Sequence, residues 1–283
     1  MNFHSKPNRY VSHVNIKVKD IERSLRFYKE VLGFQILKPV GKKVTLTADG
    51  KTGFLTIEQP ENVTPKPRRA TGLYHFAILF SKRSDLANMI FQLVKHNIEI
   101  GAGDHKVSEA IYIADPDGNE IEIAYDNDPS DWNWENGEVE LTVDPLNFEE
   151  ILAEGNQQKP WEGLPTDTIL GHIHLYVADL EQAEKFYIDG LGYDVVGRYG
   201  EQALFISTGK YHHHIALNTW MGVGAPAPSE NAVGLKAFTV ILENEVKRNE
   251  VVKQLENIGA SVTEENGFFV TYDPSMNRLI LDI

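Results

Sequence analysis

The feature that most constrains this chain is that it nearly repeats itself. Residues 11–37, VSHVNIKVKDIERSLRFYKEVLGFQIL, align without a gap on residues 170–196, LGHIHLYVADLEQAEKFYIDGLGYDVV. A duplicated chain folds each copy the same way and then buries the faces that one copy alone leaves exposed. Each copy opens with an alternating segment expected to be a strand. An aspartate (Asp20, Asp179), a helical run and a glycine (Gly33, Gly192) follow. Aspartate satisfies the free N–H groups that start a helix, and glycine accepts the left-handed conformation that ends one. Ile21, Leu25, Tyr28 and Leu32 recur at helical spacing, as do Leu180, Tyr187 and Leu191, and are expected in the core.

Each copy continues with a weaker version of the same unit. GLYHFAILF (72–80) precedes a helical pattern from Ser84 to Lys95, and GLKAFTVIL (234–242) precedes one near Glu245 to Ile258. Four modules result, each a strand, a helix and about three strands, which is an α+β arrangement of βαβββ units. The copies span 1–127 and 168–283. Between them lies a connector, 128–167, which contains Trp132, Trp134 and Trp161 and is expected to have some structure but no chemistry.

Composition narrows the function classes. At 283 residues and 42% hydrophobic content the chain can bury two ordinary cores. Its net charge of −14, without a basic run, speaks against nucleic acid and anionic membranes as partners. With no cysteine there is no disulfide or thiolate chemistry, and no apolar run is long enough to span a bilayer. The N-terminus lacks the apolar core of a secretory signal, so a cytoplasmic protein is expected.

The second module ends in Asp115-Pro116-Asp117-Gly118-Asn119, strong turn chemistry, followed by alternating Glu120, Ile121, Glu122 and Ile123. The two glutamates share one strand face, which alone reads as a solvated polar face. His75 on its apolar strand reads alone as a hydrogen-bonded core histidine, and His4 and His96 as surface residues.

The four modules, the openings HVNIKV and HIHLYV before capped helices, and the DPDGNEIEI ending resemble the vicinal oxygen chelate superfamily of glyoxalases, bleomycin-resistance proteins and dioxygenases. The two-copy length and the segment YHHHIALNTW (211–220) resemble the extradiol ring-cleaving dioxygenases of the catechol 2,3-dioxygenase kind. The resemblance implies two domains with incomplete β-barrels, a mononuclear Fe(II), with Mn(II) as the alternative, and a catecholic substrate cleaved with O2. A homo-oligomer is compatible with such a fold. The family's metal is held by two histidines and a carboxylate, and here His75, Glu122 and either His172 or His13 match. Pairing of adjacent modules would use His13; pairing of the second module with the third would use His172, and is preferred. The fourth module has Ala237 and Ile280 at the ligand positions, and its turn, Asp273-Pro274-Ser275-Met276-Asn277, lacks the glycine. The resemblance further implies His213 as acid–base residue, Tyr112 as a hydrogen bonder of a bound oxygen, and His105 beside it. Two alternatives share the fold: a glyoxalase-like lyase or isomerase using Ni or Zn, which usually adds a second carboxylate, and a non-catalytic binding or resistance protein.

Overall fold

The computed structural model describes residues 2–283 and is built around two eight-stranded sheets. Along the first run strands 194–199, 203–207, 215–218, 169–176, 72–80, 120–126, 108–114 and 101–104. The third module is thus joined to the second. The other sheet joins the fourth module to the first, through Tyr10–Lys17 and Gly234–Ile241. Each sequence copy therefore gives one module to each sheet. The division at 1–127 and 168–283 marks the repeat in sequence, while the sheets cross it.

The joining strands explain why. Leu170 to Tyr176 are buried without a break, as is most of Gly72–Phe80. Strands apolar on both faces cannot sit at a sheet edge. The two lie antiparallel at the centre, with Ile173 opposite Phe76 and His174 opposite His75.

Within each copy, the helix of one module is tied to the turn of the next. Asp20 and Asp179 cap their helices as expected, and Gly33 and Gly192 end them at φ +88° and +69°. The periodicity predicts plain α-helices, but both finish in a widened turn in which Leu32 N–H donates to Phe27 O and Leu191 N–H to Phe186 O. Tyr28 and Tyr187 are fully buried, and each hydroxyl donates to the turn aspartate at 3.0 Å, Asp115 or Asp273. Asp115 also accepts from the N–H groups of Asp117 and Asn119 and from Asn119 Nδ2. Asp273 has the same partners in Ser275 and Asn277. The fourth module's turn is thus intact despite its altered sequence, with Met276 at φ +66° where Gly118 has +79°.

Four donors converging on one buried carboxylate make a sensitive point. Asp115→Ala leaves them unpaired, at about 1–3 kcal/mol for each buried group that water cannot reach. A loss of roughly 3–5 kcal/mol is expected in the unfolding free energy obtained from urea denaturation; a loss below about 1 kcal/mol would contradict this account of the turn.

His4 is not a surface residue. Its Nε2 donates to Gly171 O at 2.7 Å and its ring stands edge-on to Tyr211, so burial lowers its pKa to about 4. The connector carries a short hairpin, Trp134–Glu135 with Glu138–Val139, and a helix, Phe148–Glu154. No helix among the described residues is long and apolar enough to cross a membrane.

Candidate metal centre

Three buried side chains converge in the sheet built from the second and third modules. His75 Nε2 lies 3.0 Å from Glu122 Oε2, and His172 Nε2 lies 3.2 Å from the same oxygen. The three ligand-type atoms are within 4.8 Å of one another. His75 comes from the first strand of its module and Glu122 from the last, which lie side by side and parallel with Ala77 opposite Glu122. His172 comes from the neighbouring antiparallel strand, where the register slips between Leu170 and Ile173. A bulge of this kind re-aims the side chain it carries, and here His172 reaches Glu122. The glutamate is 3% exposed, so the solvated-face reading fails for it.

Burial lowers the pKa of His75 despite the opposing carboxylate. Burial by itself would raise Glu122, but His172, hydrogen-bonded to it, and His75 beside it outweigh that and hold the carboxyl well below its usual range. A neutral imidazole and an ionised carboxylate are the forms that bind metal. Both ring nitrogens of His75 are buried without a hydrogen-bond partner, although Nε2 is so near Glu122. A buried polar atom left unpaired is costly, and a metal ion is a partner that removes that cost. The donor set and the orphaned imidazole therefore fit a divalent ion, with open positions left over.

His13 is not in this cluster. It lies in the other sheet, with Nδ1 donating to Gly53 O and Nε2 bonded to Thr56 Oγ1. His174, on the strand of His172, accepts from Asn218 Nδ2 at 2.8 Å.

The other site residues surround a cavity of about 210 Å³ beside the cluster, walled by Tyr74, Phe205 and Trp220. Tyr112 pairs with Glu122 across adjacent strands, and burial and then the charge of Glu122 keep its phenol well above the ordinary value. His105 Nδ1 donates to Thr142 O at 2.6 Å, so its Nε2 accepts from the Tyr112 hydroxyl at 2.7 Å. His213 lines the cavity with its ring 4.1 Å from that of His172, and burial makes it hard to protonate. It precedes the strand Ile215–Asn218, so strict strand alternation does not hold, and His212 is a bonded neighbour instead of facing away.

Sequence reasoning passed over one contributor, the connector, which was expected to carry no chemistry. The connector supplies Leu141, Thr142 and Val143 to the cavity wall, and the Thr142 carbonyl orients His105. A backbone carbonyl has no residue-type signal. The Gly-, Pro- and Ala-rich loop after Trp220, whose composition suggests mobility, is pinned by Arg69 to the carbonyls of Met221 and Val223.

A model of the Glyoxalase/Bleomycin resistance protein/Dioxygenase superfamily matches residues 10–123 and 169–280. The chain belongs to that superfamily. It is 43% identical, over 94% of both chains, to the protein named Catechol-2,3-dioxygenase of Bacillus subtilis (strain 168). A shorter stretch, 41% of this chain and 63% of the relative, is 28% identical to Biphenyl-2,3-diol 1,2-dioxygenase 3 of Rhodococcus globerulus. Among solved structures, a putative dioxygenase of Bacillus subtilis aligns with a TM-score of 0.69 at 15% identity, over 98% of this chain and 86% of that one. Glyoxalase I from Zea mays aligns with a TM-score of 0.58 at 15% identity, over 96% and 92%. The two structural likenesses speak to fold alone.

Proposed function

We propose that this chain is an extradiol ring-cleaving dioxygenase acting on catechol-type aromatics with O2. The observation that carries the reading is the cluster of His75, Glu122 and His172 opening on an aromatic-walled cavity that also presents His213 and Tyr112. The near full-length relationship to a catechol dioxygenase supports it. The ligands would be His75, His172 and Glu122, and the ion Fe(II), with Mn(II) the alternative. When bound, such an ion lets a chelated diol and O2 react side by side.

The chain's own groups do the rest. His213, kept neutral by burial, takes the proton from a substrate hydroxyl. Tyr112, whose O–H is given to His105, presents its oxygen lone pairs to the other hydroxyl. Tyr74, Phe205 and Trp220 hold the ring and exclude water. A glyoxalase-like reaction would call for a second carboxylate; among the residues lining the cavity Glu122 is the single acidic one, which favours the dioxygenase.

Oxygen uptake decides between these readings. Anaerobically Fe(II)-loaded protein, given catechol and alkyl- or aryl-substituted catechols, is expected to consume oxygen and form a yellow ring-opened product. Loaded protein that consumes none would point instead to a lyase or isomerase with another metal.

A further inference from the structure

Behind His213 runs a chain of hydrogen bonds that the reaction as described does not use. Asp126 closes the strand that carries Glu122, and its Oδ1 lies 2.9 Å from His212 Nε2. His212 Nδ1 lies 2.8 Å from His213 Nδ1. The second oxygen of Asp126 accepts from the Tyr211 hydroxyl at 2.9 Å. His212 and Tyr211 are fully buried, and the ring of Trp132 stands edge-on to His212 at 5.2 Å. The assembly spans both copies and the connector, so no local segment could form it alone.

The donors and acceptors can be followed along this chain. A carboxylate accepts only, so His212 Nε2 carries its hydrogen. With that hydrogen held on Nε2 by the carboxylate, the lone pair of the His212 ring lies on Nδ1. Two Nδ1 atoms at 2.8 Å need one hydrogen between them, which His213 must supply. That leaves His213 Nε2, which has no hydrogen-bond partner among the described residues, with a free lone pair on a ring that borders the cavity.

Resting on the dioxygenase reading for its role in turnover, we infer that Asp126 and His212 are positioning residues that hold His213 in the Nδ1–H tautomer, with Nε2 free to act as base. In the proton transfer the substrate O–H bond breaks, the His213 Nε2–H bond forms, and the electron pair stays on the substrate oxygen. Without the carboxylate the order along the two rings is free to reverse. His213 then carries its hydrogen on Nε2 and cannot accept the proton. A carboxylate that orients a catalytic imidazole in this way contributes about 10²–10⁴ in kcat elsewhere.

The test has two arms. In the first, Asp126→Ala is expected to lower kcat at least about 100-fold while KM stays within about threefold and metal content is unchanged; Asp126→Glu, which restores a carboxylate, should recover at least about tenfold of the loss. A merely structural role would instead move KM, metal content and kcat together, and that result would overturn the inference. In the second, the chain is loaded with diamagnetic Zn(II) and labelled with ¹⁵N-histidine. The wild type should show His213 protonated on Nδ1 and bare on Nε2, and Asp126→Ala should show a change in that pattern. Wild-type His213 carrying its hydrogen on Nε2 would overturn the inference whatever the variants do. The spectra do not depend on turnover, so a failure of the dioxygenase reading would appear in oxygen uptake alone.

Discussion

Glu122→Ala and His172→Ala each abolish stoichiometric metal binding, and His13→Ala leaves it in place. This is the expected result if the site is built from the second and third modules. Glu122 is the one anionic group of the cluster and the oxygen to which both histidines point. Even residues that only orient a ligand cost about 10–100-fold in metal affinity when removed, so loss of a direct ligand should exceed that. Metal analysis after gel filtration would read the effect. The thermal midpoint supplies a second reading, because a ligand at a thousand times its Kd stabilises the folded state by about 4 kcal/mol and the variants forfeit that gain. His13, spent on Gly53 O and Thr56 Oγ1 in the other sheet, has no part in this. Retained metal in His172→Ala together with loss in His13→Ala would overturn the assignment.

The second large effect is expected at His213. His213→Ala should retain one metal per chain and lower kcat by about 10²–10⁴, the usual contribution of a positioned acid–base residue. The ring packs on His172 but its hydrogen bond goes to His212, so its removal opens space beside the metal without taking a ligand. Metal loss in step with activity would make it a structural prop of the centre instead. Full activity would remove it from the mechanism.

Much of this was legible in residue types. The gapless repeat announced the duplicated modules, and the aspartate caps and closing glycines stand where the helices begin and end. His75 and Glu122 could be read as a pair only through the resemblance to the family, since alone one reads as a core histidine and the other as part of a solvated face. The choice between His172 and His13 could not be read locally. It depends on which distant strand lies beside Gly72–Phe80, and in the structure that strand is Ile169–Tyr176, both being buried on their two faces. The bulge that turns His172 toward Glu122 is likewise a property of the pairing and not of either strand.

What the residue pattern hid was mostly backbone and sequence-distant. Thr142 acts through its carbonyl, Asp126 lies just beyond the last alternating residues of its strand, and His4 acts from a terminus whose polarity suggested the surface. Strand alternation separates His212 from His213, but the segment leaves strand geometry there, and the two rings meet.

The proposed dioxygenase centre requires that His75, Glu122 and His172 together hold a single ion. The most direct test is an anomalous difference map from a crystal of the Fe(II)-loaded protein, measured on both sides of the iron absorption edge. One strong peak per chain is expected, bonded to the two Nε2 atoms and the Glu122 carboxylate. A peak at His13, a peak between His212 and Asp126, or iron spread over several surface sites would contradict it.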